Sequence, residues 1–186
     1  MKNIIFPVIL LNILISGCTT FKYQGMDAAE FSDSSAENRD IAFVINYEQA
    51  NYIQALQKPE FEKYFKEELL NSGFGGLSNE KSLTEFSINV RLNHDASQDW
   101  LSFFLYMISL TAYPAASDHI VSFDVDYYKD EEIIRSANYQ SNYVQYVSVY
   151  FPTALFVGDS AGDYQRKLAA DLAENIALDF PAGTEF

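Results

Sequence analysis

The chain has 186 residues, with 12 Lys and Arg against 26 Asp and Glu for a net charge of −14, and it is 48% hydrophobic and 16% aromatic. That composition fits an ordinary globular body and excludes a disordered acidic tail. A single Cys excludes a disulfide framework or a thiolate zinc site. The few basic residues are scattered, so nucleic acid is not an expected partner.

Met1-Lys2-Asn3 supplies a short positive segment, and Ile4 to Ile15 follows as an apolar run broken only by Pro7 and Asn12. About 12 apolar residues fall short of the ~20 that a spanning helix needs, so the layout is that of a secretory signal. The run Ile15-Ser16-Gly17-Cys18 resembles the lipobox of bacterial lipoproteins. The resemblance implies cleavage before Cys18 and lipidation of Cys18, with residues 1–17 removed. Several acyl chains, at ~0.8 kcal/mol per buried methylene, make such an anchor effectively permanent. In those lipoproteins an Asp after the Cys retains the protein at the inner membrane, so Thr19 implies the periplasmic face of the outer membrane. The processed chain carries 11 basic against 26 acidic residues, a net charge of −15. Residues 18–40, with Gly25, Ser32, Ser34 and Ser35 and no sustained periodicity, read as a lipidated Cys and flexible tether of about 25 Å reach. One periplasmic domain is expected over 41–186.

Ile41 to Tyr47 is β-branched and aromatic and predicts a buried strand. Pro59 suits a first helical turn, and Phe61, Tyr64, Phe65, Leu69 and Leu70 predict an amphipathic helix ending near Gly73. Phe86 to Leu92 alternates strictly and predicts a half-buried strand. Trp100 to Ser117 is uncharged, but Pro114, Ser102, Ser109, Thr111 and Ser117 cut its apolar core to about 13 residues, the length of a buried strand or core helix rather than a span, with a second membrane contact as the lesser alternative. Val121, Phe123, Val125 and Tyr127 alternate up to the polar break Lys129-Asp130-Glu131-Glu132, which predicts a hairpin continued by extended chain from Tyr139 to Phe151. Tyr164, Leu168, Leu172 and Ile176 predict a last amphipathic helix capped by Asp163. Together these elements predict a two-layer α+β sandwich, a mostly antiparallel sheet with two amphipathic helices. The strand at Ile41 to Tyr47 with the helix running into Leu69-Leu70-Asn71-Ser72-Gly73-Phe74 resembles the TolB amino-terminal domain and CsgG-type lipoprotein domains, over about a third of the chain. The resemblance implies a noncatalytic envelope role.

Gly158-Asp159-Ser160-Ala161-Gly162 fits the Gly-x-Ser-x-Gly nucleophile elbow and resembles the string of hormone-sensitive-lipase-type esterases, which would make Ser160 the nucleophile. Those enzymes place the general-base His after the Ser, whereas His94 and His119 both precede it. A turn with a helix cap at Ser160 or Asp163 accounts for the same residues. His94 with Asp95, Asp118 with His119, and Asp124 with Asp126 match no metal-site spacing, so no metal or other cofactor is expected. Ser72-Gly73-Phe74-Gly75-Gly76 lacks the Lys-Ser/Thr of a phosphate loop and reads as a helix stop.

The tyrosines of the hairpin region, Tyr128, Tyr139, Tyr143, Tyr146 and Tyr150, combine an apolar ring with a polar tip and are candidates for binding a partner or envelope glycan, with core packing as the alternative. The resulting expectation is a noncatalytic, lipid-anchored envelope lipoprotein that binds another envelope protein or helps its assembly. Its alternatives are an immunity-type lipoprotein whose acidity neutralises a basic toxin, and a serine esterase using Ser160.

Overall fold

The computed structural model describes residues 18–27, 40–47, 58–78, 84–109, 113–148 and 158–180. Their elements in chain order are β1 (Cys18–Met26), β2 (Asp40–Tyr47), α1 (Lys58–Asn71), β3 (Gly76–Ser78), β4 (Phe86–Gln98), α2 (Trp100–Ile108), β5 (Ala115–Lys129), β6 (Glu132–Ser148) and α3 (Ala161–Asp179). The strands form one six-stranded sheet in the order β1-β6-β5-β4-β2-β3.

The sheet is mixed rather than mostly antiparallel. β2 runs parallel to both β3 and β4, with Phe43 opposite Ile88 and Ile45 opposite Val90. The chain between β2 and β4 passes through α1, and a crossover of that length is what parallel pairing requires. β5 and β6 form the predicted hairpin, whose two turn residues, Asp130 and Glu131, both have positive φ (48° and 70°). That is the backbone of a type I′ connection.

Two expectations fail here. The tether does not begin at Cys18, because Cys18–Met26 is an edge strand of the sheet, and the folded part therefore starts well before residue 41. Thr20 and Phe21 are both buried, which a tether has no means to achieve. A third helix, α2, adds to the two that periodicity identifies.

The contacts divide the chain into two compact units. The first is drawn from Met1–Tyr23, Ala96–His119 and Tyr143–Tyr164, the second from Gln24–Asp95, Ile120–Asn142 and Gln165–Phe186. In the second unit α1 and α3 cover one face of the sheet. Phe61, Phe65 and Leu69 of α1 are fully buried, as are Leu168, Leu172 and Ile176 of α3, while Leu70 is exposed. Phe61 stacks on Phe123 at 6.2 Å, and Phe180 meets Phe74, Phe86 and Tyr127 edge-on at 5.2 to 6.0 Å. α1 stops as predicted: Gly73 takes φ 105°, its N–H bonds Leu70 O, and Phe74 N–H reaches Leu69 O. Those two bonds are the paired carbonyl caps of a Schellman ending.

A buried polar chain fastens the end of α3. Arg135 Nη2 lies 2.7 Å from Asp179 Oδ1, Tyr139 OH donates to Asp179 Oδ2 at 2.6 Å, and Tyr127 OH is 2.9 Å from Tyr139 OH. Burial raises the pKa of both tyrosines far above the ordinary value of 10.

Candidate functional site

Residues of the first unit carry most of the features that the sequence marks as functional. Cys18 opens β1, and the strand is tied on its outer side by a two-way bridge: Phe21 N–H donates to Asp159 O at 3.0 Å and Asp159 N–H to Phe21 O at 2.6 Å. Gly158 permits that approach, since a Cβ there would sit 2.5 Å from Phe21 O. Inward, Phe21 stacks on Tyr164 at 5.5 Å and meets Tyr143 edge-on at 6.0 Å. Tyr143 in turn lies parallel to the His119 ring at 4.6 Å. His119 Nε2 shares a 2.8 Å hydrogen bond with Ser117 Oγ. Removal of the Tyr143 and Tyr164 rings from water raises both phenol pKa values.

The Gly158 to Gly162 string is thereby accounted for residue by residue. Gly158 accommodates the Phe21 backbone, and Ser160 is the cap of α3. Its Oγ donates to Asp163 Oδ2 at 2.7 Å and accepts from Asp163 N–H at 3.2 Å, while its carbonyl accepts the first helical bond, from Tyr164 N–H. A hydroxyl that accepts the N–H three residues on and gives its proton to that residue's carboxylate has the geometry of a helix N-cap rather than of a hydroxyl handed to an imidazole.

α2 is built to expose apolar surface. Asp99 caps it, its Oδ1 accepting Leu101 N–H at 3.0 Å. On the helix's inner side Ser102, the one buried residue, accepts Ala116 N–H at 2.9 Å, with Asp99 O and Ala116 O also within 3.2 Å of its hydroxyl. Ser109 Oγ closes the other end, bonding Tyr106 O and accepting Tyr113 N–H. Polar anchors at Ser102 and Ser109 thus hold α2 from below, and Trp100, Leu101, Phe103, Phe104, Met107 and Ile108 are exposed. The expectation that this stretch is buried fails, because its hydroxyls rather than its rings face inward.

The second unit offers a different surface. On the sheet face away from α1 and α3, side chains form cross-strand rows: Asn46 Nδ2 to Asn89 Oδ1 at 2.7 Å, Arg91 to Asp126 at 3.2 Å, and Ser136 Oγ to Asp126 Oδ1 at 2.6 Å. Asp124 accepts from Asn93 at 3.2 Å and Asn138 at 2.7 Å. Both oxygens of each aspartate are occupied by these neighbours, so the shared strand face of Asp124 and Asp126 serves the rows. Among the described residues no group of three His, Cys, Asp or Glu is placed to hold a metal.

The tyrosine candidates separate. Tyr139 and Tyr143 are buried, at 3% and 2% exposure, and cannot present a face to a partner, because their strand positions put them under α3 residues Asp179 and Tyr164. Tyr128 and Tyr146 are half-buried, and Tyr150 lies outside the described residues, as does the signal segment 1–17. Buried His94 has its pKa lowered by desolvation against the opposing pull of Asp95.

No family model and no curated protein matches the chain, so the resemblance to TolB and CsgG-type domains gains no support. Similar solved structures include a PelC dodecamer from Paraburkholderia phytofirmans, at 8% identity and TM-score 0.32 over 84% of this chain and 98% of that one. A Helicobacter pylori homolog of neuraminyllactose-binding hemagglutinin aligns at 10% identity and TM-score 0.42, covering 83% and 87%. A minor lipoprotein of Acinetobacter baumannii aligns at 14% and 0.35, covering 75% and 89%. Lipoproteins are thus among the neighbours.

Proposed function

We propose that the chain is a noncatalytic bacterial envelope lipoprotein, anchored by acyl chains on Cys18 at the periplasmic face of the outer membrane, that binds or helps assemble another envelope protein. The observation that carries this reading is the run Ile15-Ser16-Gly17-Cys18 behind a short apolar segment, with the chain's single Cys at the cleavage position. Further support comes from Ser160, whose hydroxyl serves as a helix cap. The Asn, Asp, Arg and Ser rows of the second unit give the protein a polar sheet face, and with Tyr139 and Tyr143 in the core that face joins half-buried Tyr128 and Tyr146 among the candidate partner surfaces.

β1 starts at Cys18, so the lipid attaches directly to a sheet strand rather than through a tether. Cys18→Ser tests the reading. Labelled palmitate should enter the parent chain in cells and should not enter this variant, and the parent should sediment with membranes. A parent chain that is itself soluble would overturn the anchor. Crosslinking of the lipidated protein in membranes, repeated with Arg91→Glu on the polar face, tests the partner role: loss of a reproducible crosslinked envelope protein supports it, and no crosslinked protein from the parent refutes it.

A further inference from the structure

Apolar surface on α2 is larger than an isolated globular protein usually shows. Trp100, Leu101 and Phe104 are 74%, 69% and 60% exposed, and Phe103, Met107 and Ile108 are exposed with them. At 100° per residue these six positions fall within roughly a 160° arc with Ser102 opposite, so they form one continuous outward side. At about 200 Å² per large side chain the patch measures about 700 Å². The largest apolar patch of an ordinary monomer is about 300–600 Å².

Two observations select the occupant. No residue of α2 is charged, so the patch itself offers a protein partner no ion pair. Cys18 also belongs to the same compact unit as α2. Within that unit Phe21 of β1 lies against Tyr143 of β6 and Gln98 and Asp99 bond Ala116 at the start of β5, so β1 and α2 are parts of one small framework whose strand begins at the anchor residue.

We propose that α2 is an interfacial helix that lies in the same lipid leaflet as the acyl chains of Cys18, with Trp100, Leu101, Phe104, Met107 and Ile108 among the upper acyl carbons. The proposal rests on the lipoprotein reading for the proximity of the leaflet and goes beyond it in giving the folded body its own membrane contact. A nine-residue helix is far too short to span, and its length suits lying in the interface. Without basic residues it adsorbs by apolar surface alone, so salt should not release it.

Trp100 is the chain's only Trp, so its fluorescence reports α2 alone. The lipidated protein, purified from membranes and reconstituted into phosphatidylcholine vesicles with brominated acyl chains, should show blue-shifted emission, several-fold quenched by the brominated lipid, equally at 0.1 M and 1 M NaCl. The double variant Leu101→Asp, Phe104→Asp changes only exposed side chains, so it should fold as the parent does and lose the quenching. Trp100 that is unquenched by brominated lipid and open to aqueous iodide would overturn the proposal. So would a concentration-dependent blue shift of Cys18→Ser in lipid-free buffer with sedimentation as a dimer, which assigns the patch to a second copy. The intact mass of the same sample reads the anchor separately. If Cys18 carries no acyl chain, the protein is tethered to nickel-chelating lipid by an amino-terminal His tag, and quenching then supports α2 while its absence refutes it.

Discussion

Phe21→Ala distinguishes a strand at the amino terminus from a tether. The Phe21 ring is 3% exposed, stacked on Tyr164 and edge-on to Tyr143, and its backbone bridges Asp159. Truncating a buried Phe costs about 3–5 kcal/mol through lost transfer energy and the cavity left behind. Of this, the two ring pairs account for about 0.5–1.5 kcal/mol each. The site is near one end of an edge strand, where the surroundings collapse more readily than in a central layer, so the lower part of that range, about 3 kcal/mol, is expected. At roughly 2–4 °C per kcal/mol for a chain of this size, the melting temperature should fall by roughly 6–12 °C. Urea unfolding followed by circular dichroism, with Lys22→Ala on the exposed side of the same strand as control, measures it. A Phe21→Ala midpoint within error of the Lys22→Ala midpoint would refute the strand and restore the tether.

Ser160→Ala should cost about 1 kcal/mol, the usual value of a lost helix cap, and leave any ester hydrolysis by the preparation unchanged; a p-nitrophenyl ester assay beside a thermal melt reads both. Asp179→Ala should cost about 3 kcal/mol in chemical denaturation, since it removes the carboxylate that both Arg135 and the Tyr139 hydroxyl bond, with Arg135's partial exposure holding the effect at the low end. Stability should also fall as pH rises above 10. Tyr127, Tyr139, Tyr143 and Tyr164 hold their protons in the fold well beyond the pH at which unfolded tyrosine releases them, so the unfolded state binds fewer protons there and each phenol withdraws up to about 1.4 kcal/mol per pH unit. Urea midpoints at pH 9, 10 and 11, with Tyr143→Phe showing a shallower decline, check it.

Periodicity located the elements that bury one face. The period-four line of Tyr164, Leu168, Leu172 and Ile176 and the alternation from Phe86 to Leu92 both correspond to buried sides in the structure. Where composition spoke in place of periodicity, it misled. Residues 18–26 are short, polar and broken by Gly25, yet Phe21 docks in an aromatic cluster whose members lie over a hundred residues away, a partnership that no local window contains. α2 misled in the opposite direction: its rings resemble a core, but the decisive contacts are made by Ser102 and Ser109, whose hydroxyls bond backbone on the inner side. The Ser160 string was legible in both senses, and only the bonds to Asp163 select the cap. For the tyrosines, Tyr139 and Tyr143 stand four apart and so share a face, but which face the helices cover follows from the fold.

The anchor is tested most directly by the mass of the amino-terminal tryptic peptide from protein isolated with membranes. Cleavage after Lys22 releases Cys18-Thr19-Thr20-Phe21-Lys22. The account predicts that this peptide begins at Cys18 and carries a diacylglyceryl group on sulfur and an acyl chain on the amino group. A chain that begins at Met1, or a Cys18 peptide with a free thiol and free amine, would contradict it.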